Sequence, residues 1–171
     1  EIPVTENGDT SVEKTEETAE PLDIQEYLEG LPGRPEGRTD ILLCSGFQGL
    51  ENEELWEQFC KDTDNGEESS VTIGNYTIEG DLIYTYLVYT GQGFCEYMDT
   101  SHDRYGSPEF YSNVRKHLIE YSFETEEETN GGLRPFIHRY VFLSDKDYKN
   151  DEEIATDYGK EDNDWIFLWG Y

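Results

Sequence analysis

Between Ser70 and Asp99 the chain alternates with a period of two and is cut twice by glycine-bearing turns. The stretches SVTIGNYTI (70–78), LIYTYLVYT (82–90) and FCEYMD (94–99) are rich in β-branched and aromatic residues. Such alternation sends successive side chains to opposite faces of a strand. Glu79-Gly80-Asp81 and Gly91-Gln92-Gly93 make the turns, and connections this short join strands only as antiparallel hairpins. A three-stranded meander is therefore the nucleus of whatever this chain folds into. Gly74 interrupts the alternation of the first strand and predicts a bulge.

Helical spacing precedes this nucleus. Leu22 to Leu31 places apolar residues at 22, 24, 27, 28 and 31, which predicts a short helix. DILLCSG (40–46) reads as a short strand. In LENEELWEQFCKDTDNG, Asn52 reads as an N-cap, Glu53 and Glu54 sit at the favourable end of the dipole, and Asn65-Gly66 is the stop. Leu55, Trp56, Phe59 and Cys60 share one face of that helix. Beyond the meander, NVRKHLIEYSFET (113–125) and RPFIHRYVFLS (134–144) form two more strands, joined through a turn at Asn130-Gly131-Gly132. A short helix is predicted from Asn150, with Asp151, Glu152 and Glu153 in its first turn. The apolar run DWIFLWGY closes the chain as a strand tied into the sheet.

The sum predicts an α+β fold. One or two N-terminal helices pack on a mostly antiparallel, meander-type sheet of five to six strands. One face is covered by helix and a tyrosine-rich face is left partly solvated. Residues 1–21 are rich in Thr, Glu and Ser and nearly devoid of large apolar side chains, too little to offset the entropy of ordering. They are expected to form a disordered or extended acidic tether to a single domain over 22–171. The opening Glu1-Ile2-Pro3 reads as a segment trimmed of a leader or anchor.

Charge narrows the partners. Forty Asp and Glu against 12 Lys and Arg give a formal net charge of −28. Nucleic acid is repelled by such a field, an anionic membrane likewise, and a basic partner is steered in. No run has the length of a membrane span. Cys44, Cys60 and Cys95 form no metal-binding pattern; at least one thiol stays unpaired, and whether two of them join is open.

The order of elements from about residue 40 to 107 resembles the bacterial domain-of-unknown-function 4362 family, small domains of secreted proteins and lipoproteins. The resemblance is carried by Tyr76-Thr77-Ile78-Glu79-Gly80-Asp81, by Leu87, Tyr89 and Gly91, and by Tyr97, Asp99-Thr100, Asp103 and Tyr105-Gly106. Gly46, Leu50 and Phe59 fit the usual order upstream. Leu82 stands where proline is expected, and the acidic stretch 145–164 departs from the family pattern. The resemblance implies export and a small α+β domain. It implies no activity.

Two candidate sites emerge. The first is the loop YMDTSHDRYGS, where Asp99, Thr100, His102, Asp103 and Tyr105 gather polar groups after the third strand. It lacks calcium-loop spacing, and Ser101-His102-Asp103 are chain neighbours rather than a triad assembled from separate segments. Asp, Thr and Ser also hold turns by bonding backbone N–H groups, which favours a structural loop over a ligand contact or catalysis. The second is an aromatic face on the sheet, formed by Tyr84, Tyr86 and Tyr97, with Tyr121 and Tyr140 as further members. Tyrosine offers contact area at low entropic cost; the same rings also stabilise sheets by cross-strand packing. His117 and His138 lie on adjacent strands. Glu79 and Asp81 sit in a turn too tight for an acid–base cleft. The loops 145–151 and 157–164 carry enough oxygen ligands for weak calcium binding without the spacing of a tight site.

No cofactor is implied. The expectation is a non-enzymatic exported module, extracellular or at the cell surface, that binds a protein, peptide or glycan. The alternative is an acidic inhibitor or immunity-type protein that neutralises a basic partner. A hydrolase built from His and Asp residues brought together by folding is the third and weakest reading.

Overall fold

The computed structural model describes residues 23–170 apart from 36, 47–48, 130–131, 159 and 161. The expected tether over 1–21 and the Asn130-Gly131 part of the expected turn lie outside the described residues. Over the described residues the fold is mostly β, with two sheets and three helices.

The first sheet has the order β2-β1-β3-β4-β5-β6. Its strands are β1 (Leu42–Ser45), β2 (Gly49–Glu51), β3 (Ser69–Tyr76), β4 (Leu82–Tyr89), β5 (Phe94–Asp99) and β6 (Phe110–Arg115). The meander stands as expected, with β3 through β6 pairing antiparallel in chain order. The sheet is mixed, because β1 pairs parallel with β3. The connection between them contains α2 (Glu53–Asp64), and a parallel pair requires a crossover of about that length. β2 is an added edge strand, antiparallel to β1.

The second sheet has the order β7-β8-β9, from β7 (His117–Thr129), β8 (Gly132–Ser144) and β9 (Ile166–Gly170). A single sheet of five to six strands is thereby corrected. The alternating run 113–125 is two strands: Arg115 ends β6 in one sheet and His117 begins β7 in the other. Arg115 anchors the crossing, its Nε donating to the Asp164 carbonyl at 3.2 Å. Gly93 backs it so closely that a Cβ there would lie 2.9 Å from the Arg115 carbonyl oxygen. The helices are not confined to the N-terminal side either. α1 (Ile24–Glu29) and α2 precede the meander, but α3 (Asp151–Asp157) lies between β8 and β9. Asn150 caps α3 by accepting from the Glu153 N–H at 3.0 Å.

Two local expectations change. Gly74 makes no bulge, since the β3–β4 register runs unbroken through it. A Cβ at that position would come within 3.0 Å of Leu43 and 3.2 Å of Tyr84, so the glycine serves close packing. Asn52 does not cap α2 with its side chain. It takes a left-handed backbone conformation (φ 59°), and its Nδ2 donates to the carbonyls of Arg38 and Ile41 at 2.9 and 2.7 Å. Pro135 is tolerated inside β8 because β9 pairs only with Tyr140–Leu143, leaving Pro135 where β8 has one neighbour.

Both faces of the first sheet are buried. On one, Val71, Ile73, Leu87 and Phe94 pack with Trp56 and Phe59 of α2 and with Val141, Leu143, Leu168 and Trp169 of the second sheet. On the other, Leu43, Leu82 and Tyr84 pack with Leu28 of α1 and Leu31. The expected solvated tyrosine face is therefore covered by α1. All three cysteine thiols are free.

Trp56 donates its indole N–H to Glu120 of β7 at 2.7 Å. Trp56→Phe removes this donor and leaves a small void in the core, so a loss above the roughly 1–2 kcal/mol of the hydrogen bond alone is expected in urea denaturation. Because the larger core draws on both sheets, near- and far-ultraviolet circular dichroism should report one coincident transition. Two separated transitions would contradict this packing.

Candidate functional site

The loop after β5 is built by its own polar side chains. Asp99, buried at the end of β5, accepts from the Ser101 N–H at 3.1 Å and the Ser101 hydroxyl at 2.7 Å. The Thr100 hydroxyl donates to the Ser107 carbonyl at 3.0 Å and accepts from the Glu109 N–H at 2.9 Å. Asp103 accepts from the N–H groups of Tyr105 and Gly106 at 2.9 and 3.1 Å. The carboxylates are thus occupied with backbone. His102 turns inward, its ring edge-on to Tyr84 with centroids 5.6 Å apart, and its Nε2 is buried without a hydrogen-bond partner among the described residues. Tyr105 points outward and is exposed.

Asp81 fastens this loop to the β3–β4 turn. Its buried carboxylate accepts from the Arg104 Nε at 2.6 Å and the Arg104 N–H at 3.2 Å. Thr77 shapes the turn beneath, its N–H donating to the Asp81 carbonyl at 2.8 Å and its carbonyl accepting from Gly80, which holds φ +85°. Asp81 is therefore a clamp rather than half of an acid–base pair.

The aromatic face expected from Tyr84, Tyr86 and Tyr97 is not an exposed platform. Tyr84 is fully buried; its hydroxyl donates to the Pro32 carbonyl at 2.5 Å, and burial pushes its pKa up to about 12. Tyr86 meets Tyr27 of α1 edge-on at 5.8 Å and donates to Ser70. Tyr97 stacks on Phe110. These rings are half-buried or buried because α1 lies over them.

A different aromatic face is left open, on the side of the second sheet turned away from the first. Register places Tyr121 opposite Tyr140, Phe123 opposite His138 and Thr125 opposite Phe136, all on one face. His138 stacks on Phe123 at 4.8 Å and meets Phe136 edge-on at 4.8 Å; its Nε2 shares a hydrogen bond of 2.8 Å with Thr125. Tyr158, just past α3, lies against Tyr121, Phe123 and Tyr140. A hydrogen bond with Tyr158, together with burial, pushes the Tyr140 hydroxyl up to about 12. Below them Phe142 is sealed by Trp165, stacked at 3.9 Å. Tyr158 and Phe167 stay 44% and 53% exposed. Phe167 joins this row to an apolar groove of about 290 Å³ lined by Tyr76, Ile83 and Met98. Sequence reasoning found only Tyr121 and Tyr140 of this face. The alternation of 119–125 and 136–142 was the available signal for the rest, but Tyr158 and Phe167 come from segments that only the fold brings alongside.

Catalytic groups do not converge on this face. His117 stands opposite Ser144 and His138 opposite Phe123, so the two histidines do not meet. Burial pushes the Cys44 and Cys60 thiols up to about 12, far from thiolate reactivity. Among the described residues no three His, Cys, Asp or Glu side chains gather as a metal set, and no helix is long and apolar enough to cross a membrane. In the acidic loops, Asp157 accepts from Lys146, Lys160 and Tyr148, which hold its pKa well below the usual carboxylate range. Asp164 accepts from Ser144 and the Asp145 N–H.

Among the described residues, Glu96 is the one fully buried carboxylate that the sequence did not single out. It accepts from Asn113 at 2.9 Å through Oε2, while its Oε1 and the nearby hydroxyl oxygen of Thr85 have no hydrogen-bond partner among the described residues.

A family model described as a domain of unknown function, DUF4362, matches residues 39–130, more than half of the chain. No curated protein and no solved structure matches it.

Two outcomes test these assignments. Asp81→Asn weakens the clamp, so hydrogen exchange should quicken at Arg104, Tyr105 and Gly106 while the β4–β5 amides are unchanged; equal protection would show the loop is held elsewhere. Burial raises the pKa of Glu96. A raised folded-state pKa means the penalty is absent below the unfolded value of about 4.3 and grows as pH rises through the folded value. Glu96→Gln should therefore stabilise the protein more at pH 7 than at pH 4, read as the difference in urea midpoints. An equal effect at both would place the charge elsewhere.

Proposed function

We infer that this chain, which belongs to the DUF4362 family of domains of unknown function, is an exported binding module that acts through the outer face of its second sheet. The observation that carries this is the row of stacked rings ending in the exposed Tyr158 and Phe167, beside an apolar groove. Rings already held in place by one another present area without a further ordering cost. An apolar groove with a few polar groups at its edge is the usual form of a recognition site; Asn75 and Thr77 supply them here. Binding rather than catalysis is supported by loop carboxylates engaged with backbone and by the Cys44 and Cys60 thiols, which burial holds protonated. The placement outside the cell rests on the family resemblance and on the polar composition of residues 1–21. The net charge of −28 favours a second reading, an acidic inhibitor that caps a basic protein.

The test is a screen of the protein against arrayed peptides and glycans, with hits measured by calorimetry. Tyr158→Ser with Phe167→Ser truncates the two most exposed rings of the row and should weaken a true ligand at least about tenfold, as truncation of an aromatic anchor does, with an unchanged far-ultraviolet circular dichroism spectrum as the control for folding. Ligands that bind the double variant unchanged would move the site off this face.

A further inference from the structure

The β7–β8 hairpin runs past the body of the protein. β9 pairs with β8 only from Tyr140 to Leu143, whereas β7 and β8 stay paired out to Thr129 and Gly132. Near the body, the inner face of this arm is packed: Val141 is buried in the core, and Glu120 meets Trp56 of α2. Arg139 bonds Glu53 and Glu120 at 2.8 and 3.4 Å. Farther out, the same face is uncovered. Leu133 and Ile137 are 64% and 60% exposed there, with Pro135 exposed between them.

Register sets a carboxylate opposite each of these three. Glu124 faces Ile137, Glu126 faces Pro135 and Glu128 faces Leu133, each exposed. Successive members of each row stand about 7 Å apart along the strand. Among the described residues no cation pairs with these three glutamates. At the foot of the arm a cavity of about 510 Å³ opens against α2, its charged lining being Glu57, Asp64 and Glu120 with Lys61 and Arg139. An apolar row flanked by a parallel acidic row, overhanging a concave corner, is complementary in both shape and charge to one kind of occupant.

We propose that the overhanging inner face of the β7–β8 arm docks a cationic, amphipathic segment of a partner protein, its apolar side chains on Leu133 and Ile137 and its Lys or Arg side chains on Glu124, Glu126 and Glu128. The inference shares the binding-module reading but uses a surface opposite the aromatic row, so the two can fail independently. The field of the whole chain, at −28, steers such a segment inward.

The experiment measures fluorescence anisotropy of a labelled peptide of alternating lysine and leucine, with a glutamate–leucine peptide as control. Glu124→Gln, Glu126→Gln and Glu128→Gln together change exposed side chains of near-identical shape. Expected are binding of the lysine peptide only, weakening of at least about tenfold in the triple variant with a shallower salt dependence, similar weakening in Leu133→Ser with Ile137→Ser, and no change in Tyr158→Ser with Phe167→Ser. A triple variant that binds as tightly as the parent assigns the affinity to diffuse charge and overturns the proposal. So does a triple variant that keeps its peptide affinity and self-associates in sedimentation, since the row would then serve to keep sheet edges apart.

Discussion

One carboxylate ties the second sheet to α2, beside the apolar cluster that both sheets share and the bond that Asn75 of β3 donates to the Leu168 carbonyl of β9 at 2.7 Å. Glu120 projects from β7 toward α2 and accepts from the Trp56 indole at 2.7 Å and from Arg139 at 3.4 Å. Arg139 also reaches Glu53 of α2 and lies over the Trp169 ring at 5.0 Å. Trp169 in turn meets Trp56 edge-on at 5.3 Å. Helix, second strand pair and last strand are thus tied at one point. Partly exposed ion pairs contribute little net stability, so the energy comes from the apolar cluster around them. The face of the second sheet that turns inward carries Val141, Leu143 and Trp169, and the polar knot pins that face to α2 while the rings of the opposite face are left outside.

Scarcity of cations makes this kind of knot the general device of the chain. With 12 Lys and Arg among 171 residues and a net −28, like charges repel across the surface and compactness is opposed. Several of the cations stand where separate segments are fastened. Arg104 holds the β5–β6 loop to the β3–β4 turn, and Arg115 holds the crossing between sheets near Asp145 and Asp164. Lys146 and Lys160 converge on Asp157 at the end of α3. Cations committed in this way leave Glu124, Glu126 and Glu128 of β7 without a cation partner among the described residues.

The meander, α2 and the closing strand were legible because their signals are local: alternation, a helical stripe, and turns marked by glycine. The split at Lys116 was not, since residues 113–125 read as one strand with imperfectly divided faces, and the contacts Arg115 makes at the crossing, with Asp164 and against Gly93, come from residues distant in sequence. Gly74 looked like a bulge because a strand glycine has two meanings, and only Leu43 and Tyr84 pressing on it distinguish them. Tyr84 and Tyr86, read as part of an exposed aromatic face, lie two apart on β4, and Tyr97 stands opposite Tyr86. Their exposure depended on α1, whose Tyr27 and Leu28 gave no sequence sign of which face they would cover.

The residues that carry the family resemblance now have a physical role. The YTIEGD stretch forms the turn that places Asp81, and the DTSHDRYG stretch forms the loop that presents Arg104 to it. Asp99, Thr100 and Asp103 shape that loop through backbone bonds. The two most specific stretches are therefore two halves of one clamp across the first sheet. The matched region, 39–130, contains that sheet and β7 but stops short of β8, α3 and β9. Phe136, His138, Tyr140, Tyr158 and Phe167 all lie beyond it, as do Leu133 and Ile137. The family match thus describes the scaffold, while both open faces of the second sheet are completed by the part of the chain that the match does not reach. A binding specificity located there can differ between proteins that share the clamp, because changing those rings leaves the Asp81–Arg104 contact and the α2 packing intact.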